Sequence, residues 1–389
     1  MSSRPTWAEV SLPALRHNFE LIRDFVAPHA TVCAVVKCDA YGHGAIECAR
    51  ALEQSGAKWF GVTCADEGIA LRRAGISGRI LLMSGIWRGE AEAVVEHDLT
   101  PAVWNDEQVR ALAQAEEKVG KRPFPLHVEV DTGMARQGVL PENLPALLAE
   151  IQRATSLRLE GVHSHLASSE VADAPDTVRQ IASYRQVLQE IATAGLRPEC
   201  FHLANSAAMI TQEATWRESR SASGYLNLVR PGISLYGYFL PIVSIAGAPH
   251  ELREPPVQPV LAWKARIIDL RRVQTGQAIG YNGSYVTSAP ATIATVAVGY
   301  GDGLNRRLSS RGRVLVRGDF AQIVGKVSMD VTTIDVTQIP GAEIGDEVVL
   351  IGEQGQRKIT AWEMAREIET IPYEVLCAIS NRVPRKYTN

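Results

Sequence analysis

Short runs of β-branched and other apolar residues recur along the first two-thirds of the chain, and between them the apolar positions fall at helical spacing. An opening strand-like segment, TWAEV, leads into a helix capped by Ser11, with Leu12, Leu15, Phe19 and Ile22 along one face. The runs that follow are TVCAVVK (31–37), WFGVTC (59–64), RILLMS (79–84), TPAVW (100–104), PLHVEV (125–130), LEGVHSH (159–165), CFHLAN (200–205) and LVRPGISL (228–235). Eight strands, each separated from the next by enough chain for a crossover helix, predict a (β/α)8 TIM barrel over about residues 12–242. Beyond it the texture changes. The stretch IAGAPHELREPPVQP is rich in Pro and Gly and without apolar periodicity, which reads as a linker. VLAWKARIIDL, TIATVAVGY, RVLVRG, AQIVGKVSM, TTIDV and DEVVLIG then succeed one another with turn residues between them, closed by a helical stretch around Ala361–Ile368. The expected organisation is α/β: a barrel domain over residues 1–242, whose residues 1–11 form a strand joining the other domain, and a mostly-β domain over 243–389.

Size and composition agree. A chain of 389 residues exceeds the length at which a single core stops growing, and 46% hydrophobic with 21% charged residues supplies well-packed interiors. A formal net charge of -3 offers no long-range attraction to nucleic acid or to anionic lipid. The basic stretch Arg306, Arg307, Arg311, Arg313 and Arg317 is interrupted by Gly and Ser and reads as a solvated loop-and-strand face. MSSRPTWAEV lacks the apolar core of a secretory signal, and no window approaches the ~20 apolar residues that span a bilayer, so the cytoplasm is the expected location. The six cysteines (Cys33, Cys38, Cys48, Cys64, Cys200, Cys377) include no CxxC pair and lie mostly in apolar runs, which suits free buried thiols rather than disulfides or a metal site.

In barrels of this kind the loops after the C-terminal strand ends build the active site. Reactive residues gather there: Lys37 closes the first strand, Arg136 follows the fifth, His165 closes the sixth, Asn205 and Ser206 follow the seventh, and Arg230, Pro231 and Gly232 lie in the eighth. A lysine ending an apolar strand brings its charge toward a low-dielectric interior, which favours the neutral amine of Schiff-base chemistry; a lysine snorkelling to the rim fits the same position. The segments NSAA and RPGIS carry hydroxyl and backbone donors where such barrels seat a phosphate, and each also fits an ordinary turn.

The motifs VVKCDAYGHG, DTGMARQG, GVHSHLA, FHLANSAA, VRPGISLYG, IGYNGSY, VGYGDGLNRRLS, GKVSMD and IPYEVLCAIS, in this order, resemble those of alanine racemases over nearly the whole chain. The resemblance implies a pyridoxal 5'-phosphate (PLP) enzyme interconverting L- and D-alanine, supplying D-alanine for peptidoglycan, and a homodimer with shared active sites. It implies that Lys37 holds the cofactor and acts as acid/base on one face of the substrate carbon, with Tyr281 of the partner subunit on the other, since a proton must leave one face and return to the opposite one. His165 would neighbour the ring and join the network activating that tyrosine. Arg230 would face the pyridine nitrogen; a guanidinium keeps its proton, so the ring stays a weaker electron sink. Tyr41, Asn205, Ser206, the backbone of Gly232 and Ile233, and Tyr373 would seat the cofactor and its phosphate. Arg136 would pair with the cofactor phenolate and the substrate carboxylate, Met329 of the partner subunit would add a backbone donor for that carboxylate, and Tyr300 would narrow the entrance.

Two positions depart from the family pattern. Glu129 stands where many members carry a carbamylated lysine that orients the arginine, on the same strand face as His127 and Asp131 by period-2 alternation; its carboxylate is expected to supply the missing charge to Arg136, by way of a water or a backbone shift because its stem is about three bonds shorter. Ser328 stands where a cysteine is frequent. Rival readings are a racemase of broader range acting on serine or larger side chains, a PLP decarboxylase of the same barrel type, and a non-catalytic PLP-binding barrel; the last two do not account for IGYNGSY, VGYGDG and GKVSMD in a second domain.

Overall fold

Eight apolar runs pair as parallel strands in the computed structural model, which describes residues 4–120, 123–217, 226–245 and 254–389. They are β2 (Ala30–Val35), β3 (Trp59–Val62), β4 (Arg79–Leu82), β5 (Thr100–Val103), β6 (Phe124–Glu129), β7 (Leu157–His163), β8 (Cys200–His202) and β9 (Leu226–Val229), following β1 (Thr6–Ser11). In order they form a closed barrel, with β9 pairing back onto β2 through Ala30↔Asn227 and Val32↔Val229. Burial on both faces explains why these strands read as continuous apolar runs rather than as alternation. An apolar layer of Cys33, Trp59, Leu81, Cys200 and Leu228 fills part of the interior. Helices such as Asp106–Val119 connect the strands, in that case capped by Asn105, which accepts from the Gln108 N–H, and ended by Gly120 at φ 63°.

The strands stop earlier than the sequence predicts. Lys37, Cys64, His165, Asn205 and Arg230 all lie past the end of their strand rather than within it. The apolar runs continue beyond the residues that pair, because loop contacts bury the following positions too.

The chain divides into two compact units, residues 15–40 with 45–258 and residues 1–14 with 41–44 and 259–389. The second unit is built on β10 (Leu261–Val273), β11 (Ala278–Ile279), β12 (Tyr285–Val286), β13 (Ala291–Val296), β14 (Arg313–Val316), β15 (Asp319–Ile323), β16 (Thr332–Asp335), β17 (Glu347–Gln354), β18 (Arg357–Ile359) and β19 (Arg385–Thr388). Its nine-stranded sheet runs β18-β17-β14-β15-β16-β13-β10-β1-β19, and pairing of β10 with β17 closes the inner strands into a ring. β1 lies antiparallel to β10 and parallel to β19. Of the linker stretch, residues 246–253 lie outside the described residues. The basic stretch is a solvated face, with Arg307, Arg313 and Arg317 paired to Glu369, Glu363 and Asp346. The cysteines are all free, but only Cys33, Cys48 and Cys200 are buried; Cys38 and Cys64 are exposed, because each falls in the loop past its strand.

Candidate active site

Lys37 stands two residues past β2, half-buried, at the start of an unusual turn. Cys38, Asp39, Ala40 and Tyr41 have φ of 53°, 52°, 54° and 54°. A left-handed turn of non-glycine residues costs about 1–2 kcal/mol per residue, so neighbouring groups must hold it. The Val36 N–H donates to the Gly61 carbonyl (2.8 Å) and the Ala40 N–H to the Val36 carbonyl (2.9 Å). The Asp39 carboxylate accepts the Ala45 N–H at 2.8 Å. Glu67 accepts the N–H of Cys38 at 2.6 Å and of Thr63 at 2.7 Å. Burial first, then the field of Arg136, pulls the Lys37 amine below its ordinary range, with Glu67 acting the other way.

Arg136 is exposed, presented by the loop after β6. Asp131 lies past the strand and builds that loop, accepting the N–H groups of Gly133 (2.9 Å), Met134 (2.8 Å) and Ala135 (3.1 Å). Gly138, at φ 111°, lets the loop return, since a Cβ there would lie 2.6 Å from the Asp131 nitrogen. Neither the Lys37 amine nor the Arg136 guanidinium forms a hydrogen bond or ion pair among the described residues. His165, two residues past β7, is driven down to about 3 by burial and then by Arg230 and Arg136, so its imidazole is neutral.

Arg230 follows β9 and is buried. Its Nη1 donates to His202 Nδ1 and to the His202 carbonyl, both at 2.8 Å, and its Nη2 donates to the Ser164 carbonyl at 2.7 Å. A guanidinium only donates, so His202 Nδ1 accepts and the His202 proton sits on Nε2. That proton is given to His127 Nδ1 at 2.9 Å, which leaves the His127 Nε2–H facing Glu160 at 3.4 Å. Glu160 is held by Arg79 and Arg158. Tautomers are thus fixed along a buried chain from Arg230 to Glu160. Burial holds His127 down at about 4 and His202 well below its ordinary value, consistent with neutral rings. His127, His163 and His202 offer nitrogens within 4.8 Å of one another, a spacing that would suit a metal ion. The His202 nitrogens are already engaged with a cation and with His127, and we read the group as a hydrogen-bonded chain.

Glu129 makes no direct contact with Arg136. Its carboxylate accepts from Gln137 Nε2 at 2.6 Å and lies 3.4 Å from His163 Nε2, and it forms no ion pair with Arg136. Strand register explains this: Glu129, His163 and His202 stand side by side across β6, β7 and β8, inside the barrel, whereas Arg136 belongs to the loop beyond. Asp131 shares neither position nor role with Glu129.

Ser206 is buried, its hydroxyl accepting the Gly232 N–H at 2.9 Å and meeting the Ser234 hydroxyl at 3.0 Å, so the turns after β8 and β9 are tied together. Ile233 opens the short helical turn that follows. Both ends of the Asn205 amide are engaged, with Ser169 and with the Ala208 N–H, which makes it a brace for the Ser206 loop. In the second unit, the Tyr41 and Tyr373 rings lie 5.8 Å apart. Tyr300 and Met329 are brought together there: the Tyr300 N–H donates to the Ser328 carbonyl and the Gly301 N–H to the Met329 carbonyl, both at 2.9 Å. Gly299 makes that approach possible, as a Cβ would sit 2.3 Å from the Ser328 oxygen. Tyr281, in a 3-10 turn between β11 and β12, is 65% exposed and makes no hydrogen bond among the described residues.

Glu67, Gln137 and the His202–His127–Glu160 chain are absent from the sequence reading. Only the placement of His127 and Glu129 on one strand face pointed toward them.

Lys37, Arg136 and Arg230 make a surplus of positive charge, with neutral His165 among them, which suits an anionic ligand: a phosphate, a phenolate or a carboxylate. The barrel and this rim define a class of enzyme with a half-buried amine whose charge is felt by two guanidinium groups. Known proteins sharpen the assignment. The alanine racemase N-terminal domain model matches residues 10–239 and the C-terminal domain model residues 260–387. The alanine racemases of Halothermothrix orenii and Syntrophobacter fumaroxidans are each 39% identical, covering 100% and 99% of this chain and 98% of each relative. The crystal structure of alanine racemase from D-cycloserine-producing Streptomyces lavendulae superposes with a TM-score of 0.90 at 32% identity, covering 100% of this chain and 98% of that one. The Bacillus anthracis alanine racemase with bound L-Ala-P gives 0.86 at 32%, covering 99% and 95%. The chain belongs to the alanine racemase family, a family of isomerases. Among the described residues no helix is long and apolar enough to cross a membrane.

Proposed function

We propose that this protein interconverts L- and D-alanine with PLP held covalently by Lys37, as a cytoplasmic homodimer supplying D-alanine for the cell wall. The observation that carries the reading is the cluster of Lys37, Arg136 and Arg230 in which, among the described residues, no counter-ion is paired to Lys37 or Arg136, in a chain of this family. When bound, PLP supplies an electron sink that lets the proton on the substrate α-carbon leave.

This chain's own groups do the rest. Lys37 Nζ, lowered by burial and by Arg136, takes or returns the proton on one face. The phenolic oxygen of Tyr281 from a second copy acts on the opposite face; its exposure and its lack of a partner in one copy support that role. Arg136 grips the substrate carboxylate and the cofactor phenolate with its planar fork. Arg230 has its terminal nitrogens fixed by His202 and backbone carbonyls, which leaves Nε–H to face the pyridine nitrogen as a permanent donor. Ser206 with the backbone of Gly232 and Ile233, Asn205 as their brace, and Tyr41 and Tyr373 seat the phosphate; His165 neighbours the ring as a neutral imidazole. Met329 of the partner subunit contributes its backbone N–H to the carboxylate, and Tyr300 limits side-chain size.

Purified protein with PLP is expected to turn L-alanine into D-alanine, with solvent deuterium entering at the α-carbon, and to run as a dimer in sedimentation. L-Serine in the same assay sets the breadth of the pocket. Absence of D-product from either amino acid would overturn the reading. Borohydride should trap the cofactor on the peptide containing Lys37, and trapping elsewhere would move the anchor.

A further inference from the structure

Glu67, in the first turn of the helix Ala65–Arg73, has no part in the chemistry above, yet its carboxylate is spent on two backbone groups of the barrel rim. One oxygen accepts the N–H of Cys38, the residue after Lys37, at 2.6 Å, and the other accepts the N–H of Thr63, just past β3, at 2.7 Å. The turn so held runs at φ of 52–54° through four residues, none of them glycine, a conformation that L side chains resist. Of Cys-Asp-Ala-Tyr only Asp39 tolerates it readily, so its persistence depends on bonds that hold the turn to its surroundings. The Cys38 bond is the first of these after Lys37, and it pins the peptide that carries the lysine to the neighbouring strand end.

We propose that Glu67 is a positioning residue for Lys37: by clamping the left-handed turn to the end of β3, it fixes where the Lys37 amine stands relative to Arg136 and Arg230. The inference rests on Lys37 being the cofactor anchor. The charged and titratable groups acting on that amine are Arg136 and Arg230, which disfavour its protonation, and Glu67 and Cys38, which favour it; His165 is close enough to feel the Lys37 charge. Glu67 therefore has two effects that substitution separates. Glu67→Gln removes the charge and leaves a single carbonyl acceptor, Glu67→Asp keeps the charge but shortens the reach, and Glu67→Ala removes both bonds.

The test uses full-length, cofactor-stripped protein. The rate of Lys37–cofactor adduct formation on adding PLP is followed by visible absorbance as a function of pH, and amide hydrogen exchange is read at Cys38 and Thr63. Loss of a hydrogen bond to a charged group predicts that Glu67→Gln forms the adduct at least about tenfold more slowly. Its pH profile shifts toward lower pH as the Lys37 amine loses a stabilising charge, and Cys38 exchanges faster, while the melting curve stays close to that of the parent. Glu67→Asp keeps the parent pH profile but is slower. Should Glu67→Ala fail to fold, Glu67→Gln carries the test alone. Parent-like adduct rates, pH profile and Cys38 exchange in Glu67→Gln overturn the proposal. Lys37→Ala is the separate control: if it still forms a borohydride-reducible adduct, the anchor assignment has failed and not the clamp.

Discussion

Acidification from about pH 7 to about pH 5.5 is expected to weaken the folded state through histidines that the barrel keeps neutral. Burial holds His127 at about 4 and His165 at about 3, against an ordinary value of 6.5, and lowers His163 and His202 in the same direction. The unfolded chain binds a proton at each site near pH 6.5 while the folded chain does not. Stability is therefore complete above pH 6.5 and is lost as pH falls toward the folded values. At about pH 5.5 an unfolded histidine is roughly nine-tenths protonated and a folded one of this kind nearly unprotonated, so each takes up close to one proton on unfolding. Integrated over the interval, that is about 1.3 kcal/mol per histidine and about 2.5 kcal/mol for His127 and His165, with His163 and His202 adding to the loss. Glu129 and Glu160, whose carboxyls lie below the usual range, lose their stabilisation only at still lower pH, so they do not confuse this window. The assay is urea unfolding of cofactor-stripped protein at the two pH values, with proton uptake on unfolding measured in a pH-stat. About two protons or more should be taken up near pH 5.5, and His127→Gln should remove roughly one of them. An unfolding midpoint independent of pH, or uptake well below one proton, would show that these imidazoles are charged or solvated in the folded protein.

Gly161→Ala places a Cβ 2.5 Å from His127 Cε1 and 2.7 Å from Cys200 Sγ, with no flexible chain end to give way; a loss of about 1–3 kcal/mol by denaturant titration is expected. His202→Phe fills the same space but takes away the acceptor for Arg230 Nη1 and the donor for His127, and leaving buried polar groups unpaired should cost about 2–4 kcal/mol, read in the same titration. Glu129→Gln is expected to leave the KM for alanine within about twofold, because Arg136 is not its partner; a tenfold rise would show that the carboxylate reaches Arg136 in the loaded enzyme. Tyr281→Phe should lower racemisation by about 10²-fold or more while borohydride trapping on Lys37 is unchanged.

The barrel was legible because parallel strands covered on both faces leave runs such as VCAV and ILL with no polar interruption. Their ends were not, since burial and single backbone bonds continue past the regular strands, as at Val36, which donates to Gly61, and at Arg230, bridged to Asn205, so the apolar texture runs on after the strand proper. The site residues on the rim could be placed by chain order alone. What they touch could not: period-2 alternation put His127 and Glu129 on one face, yet the partners of Glu129 come from the neighbouring strand and from a loop that doubles back through Gly138. The left-handed turn after Lys37 left no trace in composition, because its residues would each favour other conformations and the clamp holding them lies 29 positions away at Glu67.

β1 and β19 carry a consequence for how the molecule is made. Ala8 pairs with Arg385 and Ser11 with Thr388, in the same sheet as β10. A ribosome releases the first of these strands long before it has synthesised the second. Until β10 and then β19 are made, β1 lacks its sheet partners, and all eight strands of the barrel precede both of them in the chain. Vectorial synthesis therefore lets the barrel fold first, and the sheet around β1 can close only once β19 has been made.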